Sequence, residues 1–169
     1  YLKGFKDGLG AKTSMIVIED SYEVSEPTID SHIVKLKAAG ADVFMNITTP
    51  KFAAQAIKKN AEIGWKPVHF LNNVSASVGS VMKPAGFENG QDIISSAYLK
   101  DPTDAQWKDD AGYKNWLAFM KEYYPSGDLI DGLNVYGYTV AQTMVKVLEQ
   151  CGDNVSSECI MKEAANLSF

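Results

Sequence analysis

Residues 41–75, ADVFMNITTPKFAAQAIKKNAEIGWKPVHFLNNVS, decide the fold. Ala41 to Ile47 is an apolar run of strand length. Thr48-Thr49-Pro50 is a short turn, with Pro50 placed where a helix's first turn has no need of its N–H. Phe52, Ala53, Ala56 and Ile57 then recur at helical spacing on one side. Gly64 ends that helix, and Pro67 to Leu71 is a second strand, followed by Asn72-Asn73-Val74-Ser75. Strand, helix and strand joined by short loops imply a parallel pair with a crossover helix, the unit of an α/β sheet.

Working outward, the same alternation continues. Thr13 to Asp20 (TSMIVIED) reads as a strand buried on both faces. A polar loop, SYEVSEP, follows it, and a helix is expected from Thr28 to Ala39, stopped at Gly40. The opening YLKGFKDGLG has the apolar spacing of a helix. Beyond Ser75, a short helical stretch covers Val78 to Met82, Gly86 to Gly90 is loop, and Asp92 to Leu99 is a fourth strand. The expectation is one mostly parallel sheet of four strands, all before residue 100. Residues 100–112 (KDPTDAQWKDDAG) lack apolar periodicity and mark a lobe boundary. After them come three helices: Trp116 to Tyr123, Val135 to Leu148, and a last one capped at Ser156 or Ser157. Having no strands of their own, they look like the cover of a sheet outside this chain. Both ends look cut, which implies part of a larger protein.

Composition narrows the function classes. The chain has 169 residues, is 46% hydrophobic and 22% charged, and carries 16 − 21 = −5 charges. An acidic surface repels phosphate backbones, so no nucleic-acid partner is expected. No apolar run reaches the length of a membrane span. His32, His69, Cys151 and Cys159 show no metal-ligand spacing, so neither metal nor cofactor is expected. The two cysteines read either as local thiols or as a bridge between a helix end and the next helix start; spacing alone does not choose.

Catalytic signatures for a nucleophile elbow, a dinucleotide or a P-loop do not occur. Glu19-Asp20 ends the first expected strand and is the basis of an alternative reading, a doubly wound enzyme domain. His32 reads as an exposed helix residue near Asp30 and Lys35, His69 as a hydrogen-bonded strand residue, and Lys58-Lys59 as an exposed pair. What remains is binding chemistry. Ligands of open α/β sheets sit beyond the carboxyl ends of the strands. Here those ends carry Thr48-Thr49 and Asn72-Asn73-Val74-Ser75, neutral donors and acceptors suited to reversible recognition. The helix starting at Pro50 adds a partial positive charge suited to a carboxylate.

The run DSHIVKLKAAGADVFMNITTPKFAAQAIKKNAEIGWKPVHFLNNVSASVG resembles the second lobe of ABC-transporter solute-binding proteins of the branched-chain amino-acid type. ISSAYLKDPTDAQW resembles their hinge crossing, and DLIDGLNVYGYTVAQTMVKVLEQCG a helix of their first lobe. The resemblance covers essentially the whole chain and a middle portion of such proteins. It implies a type I periplasmic binding fold: 1–100 the second α/β lobe lacking its first strand, 101–112 the hinge crossing, 113–169 helices of the first lobe. It implies a small-molecule ligand closed between lobes, a membrane permease as partner, a periplasmic parent, and no enzymatic activity. A ligand-sensing receptor domain shares the fold. The implied ligand contacts are Thr48, Thr49, Asn72, Asn73 and Val74, with Leu133 and Tyr136 at the start of a helix bordering the cleft. The ligand implied is a branched-chain amino acid or a related carboxylate or aromatic compound. The small threonines, and the lack of an acid at Asn72-Asn73-Val74, point away from a simple aliphatic amino acid. An exported parent would allow a Cys151–Cys159 bridge. Taken alone, the chain is expected to bind weakly and to self-associate through apolar helix faces.

Overall fold

The computed structural model describes residues 1–168; Phe169, at the end of the last expected lobe segment, lies outside them. The chain forms two compact units, one of residues 1–98 with 130–132, the other of 99–129 with the chain from Leu133 onward.

The first unit opens with helix α1 (Leu2–Leu9) and a 3₁₀ helix, Gly10–Met15. Then come α2 (Asp30–Ala38), β1 (Val43–Asn46), α3 (Pro50–Glu62) and β2 (Val68–Leu71). β1 and β2 pair in parallel, with Val43 opposite Val68 and Asn46 opposite Leu71. Gly40 and Gly64, both at positive φ, turn the chain out of α2 and α3 into the strands, a conformation that costs glycine nothing for want of a Cβ. A 3₁₀ turn (Asn73–Ser75), a π-helical turn (Val78–Met82), the short α4 (Lys83–Ala85) and another 3₁₀ turn (Phe87–Gly90) follow β2.

Helix α3 joins two apolar clusters because its apolar residues span more than one stripe. Phe52 and Ala56 pack with Ile29, Ile33, Phe44 and Trp65. Ala53, Ala54 and Ile57 pack with Leu71, Val81 and Ala85. The strands bury alternate residues against them, Phe44 and Asn46 from β1, His69 and Leu71 from β2. Burying a side chain such as Phe52 or Ile57 contributes about 1.5–3 kcal/mol.

Two of the four expected strands are corrected. The run Thr13 to Asp20 begins in the 3₁₀ helix, and its remainder, though extended at Ile16, pairs with nothing among the described residues. Met15 and Val17 are 69% and 64% exposed, so the run is not buried on both faces. β-Branched residues suit a pleat, but pairing makes a strand, and the edge of β1 away from β2 carries no partner among the described residues. Asp92 to Leu99 shrinks to one parallel bridge, Ile94 with Phe70. Ile94 exchanges bonds with His69 and Leu71, but the Ser95 hydroxyl then donates to the Leu71 carbonyl at 2.9 Å. A side chain thus takes the acceptor that a continuing ladder would use. Just upstream, Asp92 sits at φ 62°, outside the extended region a strand needs.

In the second unit, a 3₁₀ turn (Ala105–Trp107) precedes α5 (Ala111–Tyr123), α6 (Gly132–Cys151) and α7 (Ser157–Ala165). Asp110 caps α5 by accepting from the Tyr113 amide at 2.9 Å, and Ser156 caps α7 by accepting from Cys159. Trp116 and Met120 are buried, and the Phe119 and Tyr138 rings meet at 5.0 Å. Cys151 and Cys159 form a disulfide, with their Cα atoms 6.0 Å apart. The alternative of two free thiols is thereby closed. Among the described residues no strand follows residue 100, and no helix is long and apolar enough to cross a membrane.

Candidate functional site

The carboxyl ends of β1 and β2 lie side by side because the strands are parallel and in register. Two side chains converge there on the Thr48 carbonyl. Asn72 Nδ2 donates to Thr48 O at 3.1 Å, and the Ser75 hydroxyl donates to the same oxygen at 2.5 Å. The Asn72 amide continues the ladder to Asn46 O at 3.0 Å. Asn72 is 5% exposed and Ser75 fully buried. Asn72 Oδ1 is buried without a hydrogen-bond partner among the described residues. These two residues therefore clamp the two strand ends rather than lying open.

Behind Thr48 runs a buried polar chain. Its hydroxyl donates to Asn46 Oδ1 at 2.7 Å, and Asn46 Nδ2 stands 3.2 Å from His69 Nε2. With its Oδ1 accepting from Thr48, Asn46 presents its NH₂ to the imidazole. His69 Nε2 is then the acceptor, and the proton of the neutral ring sits on Nδ1. Burial pushes the His69 pKa down from 6.5 to about 4, because a charged ring would lose its hydration.

Thr49 is the N-cap of α3, and its side chain makes no capping bond. The Thr49 amide instead donates to the Tyr22 hydroxyl at 2.9 Å, and that hydroxyl also lies 3.4 Å from Thr49 Oγ1. The Tyr22 ring rests on Phe52, centroids 4.6 Å apart. Tyr22 is a site residue that the sequence reading missed. The rule that directs attention to strand ends would have found it, since Tyr22 follows the Thr13 to Asp20 run. Asn46 was missed for another reason: an asparagine inside an apolar strand gives no signal until its partners are known.

Asn73 and Val74 form the next turn, and Val74 is 43% exposed. Beyond it Ser77 gathers the 130–132 segment. Its hydroxyl donates to Asp131 Oδ1 at 2.8 Å and accepts from the Gly132 amide at 3.0 Å, while the Gly79 amide donates to Ile130 O at 2.9 Å. Leu133 and Tyr136 belong to the other unit, on the first turns of α6, at 43% and 47% exposure.

The carboxylates of the enzyme alternative are engaged in ion pairs. Glu19 pairs with Lys6 at 2.6 Å. Asp20 pairs with Lys35 at 2.9 Å and with His32 Nδ1 at 3.0 Å. The Lys35 bond, and then His32, hold the Asp20 carboxyl below the usual carboxylate range, the wrong direction for a general acid. The exposed reading of His32 is corrected: its other nitrogen meets Glu26 at 2.9 Å, and its side chain is 22% exposed. Asp30, its expected neighbour, pairs instead with Lys59, which also reaches Glu62. Lys59 is therefore not a freely exposed lysine. Among the described residues no group of three His, Cys, Asp or Glu side chains is placed to hold a metal ion.

The ends of the two parallel strands thus carry neutral hydroxyls and amides. A family model described as periplasmic binding protein matches residues 1–169. The chain belongs to this periplasmic binding protein family, of the branched-chain amino-acid type. The family's role is solute binding, and its location is extracytoplasmic. Comparison with curated proteins and with solved structures gives no significant match.

Proposed function

We propose that the chain is the ligand-binding part of a solute-binding component of an ABC importer, taking a small organic solute at the ends of β1 and β2. The observation that carries this is the convergence of Tyr22, Thr48, Thr49, Asn72 and Ser75 at two adjacent strand ends, all of them uncharged. Uncharged groups recognise by hydrogen bonds and release without proton transfer. In this reading residues 1–100 are the second lobe, 101–112 the hinge crossing and the remainder first-lobe helices. Thr49, Tyr22 and Val74 contact the solute, and Leu133 and Tyr136, on the first turns of α6, are further ligand contacts. Asn73 lies on the same turn as Val74 and shares its role. A membrane permease receives the loaded protein.

The partial positive charge at the α3 N-terminus favours a solute carrying a carboxylate. The neutral turn Asn72-Asn73-Val74 offers no counter-ion for an ammonium group. Carboxylates and aromatic acids are therefore favoured over simple aliphatic amino acids. The experiment is an NMR titration of the chain with branched-chain, aromatic and carboxylate solutes. The reading expects amide shifts clustered at Thr48, Thr49 and residues 72–75, abolished in Thr49→Pro. A panel that moves none of these amides, or moves only others, refutes it.

A further inference from the structure

Both ring nitrogens of His32 face carboxylates, Nδ1 to Asp20 at 3.0 Å and Nε2 to Glu26 at 2.9 Å. An ionised carboxylate only accepts, and a neutral imidazole has one N–H. Both contacts are hydrogen bonds only when the ring carries two protons. In the neutral ring, one lone pair would face a carboxylate oxygen. The two carboxylates stand at the two ends of one loop, residues 20–26, and His32 on α2 ties both. Between them lies Tyr22, whose hydroxyl holds the Thr49 amide at the start of α3. The loop's remaining side-chain anchors are few. Lys35, also on α2, holds Asp20. Glu26 also reaches the Glu23 amide, within the loop itself. From α3 the neighbour is the uncharged Gln55, bonded to Ile29 and Pro27.

We propose that His32, as the imidazolium, is a positioning residue for the candidate site: it fastens loop 20–26 to α2 so that Tyr22 stays on the Thr49 amide, and loss of its charge frees the loop at Glu26 and withdraws Tyr22. The consequence for solute binding rests on the function proposed above; the coupling itself does not. The Glu26 and Asp20 bonds raise the His32 pKa above its ordinary value, so the clamp stays closed to higher pH than an unperturbed imidazole would allow and opens as pH rises through the raised value. Asp20 and Glu26 are themselves held below the carboxylate range, so they stay ionised through mildly acid pH.

The test is hydrogen exchange of the Thr49 amide in the full chain, expressed as protection relative to an unstructured peptide. It is followed across the His32 titration, together with the His32 and Tyr22 ring signals. Thr49 protection is expected to fall about tenfold as His32 deprotonates, the worth of one hydrogen bond to a positioned group, with Tyr22 shifting at the same pH. Ile57, in the middle of α3, is expected to keep its protection throughout. In His32→Gln the fall is present at every pH. In His32→Arg, whose fork bridges two carboxylates and does not titrate, protection stays high at every pH. Thr49 protection indifferent to the His32 titration overturns the proposal, and so does His32→Gln matching the wild type at pH below that titration. If the glutamine variant does not fold, the wild-type titration alone decides. Because no solute is present, the coupling and the binding function succeed or fail separately.

Discussion

Acidification should destabilise the first unit through His69 at a pH where most carboxylates are still ionised. The ring is 7% exposed, accepts from Asn46 Nδ2 and lies 4.8 Å from the Phe44 ring. Its native pKa is about 4, against 6.5 when unperturbed. Between those values the unfolded chain takes up a proton that the native chain refuses, so stability falls as pH drops and is unaffected by this residue above pH 6.5. The gap of 6.5 − 4 pH units corresponds to about 3 kcal/mol at 1.36 kcal/mol per unit. Protonation also sets an N–H of the ring against the Asn46 NH₂, which disrupts the bond to Thr48. His32 acts in the opposite sense: its raised pKa gives stability that is complete below its unfolded value and lost as pH rises through the folded one. The stability maximum should therefore lie near the ordinary imidazole pKa. The assay is urea unfolding followed by the amide signals of β1 and β2, for the wild type and His69→Gln, from pH 7 to pH 4. Glutamine does not titrate, and its carbonyl can accept from Asn46. It pays a constant cost for the lost ring contact. The lowered carboxylates, Asp20 and Asp30 among them, cancel in the difference between the two proteins. That difference should move by about 3 kcal/mol in the variant's favour on acidification. A difference that stays constant across this range refutes the reasoning.

Three further outcomes are expected. Cys159→Ser, or reduction of the Cys151–Cys159 bond, should cost the second unit roughly 2.5 kcal/mol, the closure entropy of so short a loop; urea midpoints of α6 and α7 amides, with and without reductant, check it. Gly79→Ala would place a Cβ 2.9 Å from Asp131 backbone atoms, and should cost about 1–3 kcal/mol by prying residues 130–132 off Ser77; an unchanged Gly132 amide signal would contradict this. Leu133, Tyr136, Val140, Met144 and Leu148 follow one another along α6, each between 37% and 49% exposed, and a contiguous apolar face promotes association; sedimentation should show self-association rising with concentration, reduced by Val140→Lys with Met144→Lys.

Local pattern alone was enough for the β1–α3–β2 unit. Ala41 to Ile47 and Pro67 to Leu71 are apolar and strand-length, the intervening helix has a proline in its first turn and a glycine stop, and a crossover between adjacent strands leaves one sensible topology. For the same reason Thr48, Thr49 and Asn72 could be placed at strand ends from their positions in the chain. Pairing is a different matter, because a strand exists only beside another. The β-branched Ile16 to Ile18 run has the composition of a strand and, among the described residues, no neighbour to make it one, and Ser95 ends the Ile94 pairing by offering a hydroxyl where an amide was needed. Partners distant in sequence are likewise invisible to periodicity. Tyr22 meets Thr49 across 27 residues, Asn46 meets His69 across 23, and Asp20 and Glu26 close on His32 from a loop that no motif marks. Hydrophobic spacing is a property of one element and can be read along the chain; a hydrogen bond between elements depends on where the packing of α2 and α3 against the sheet finally puts each side chain.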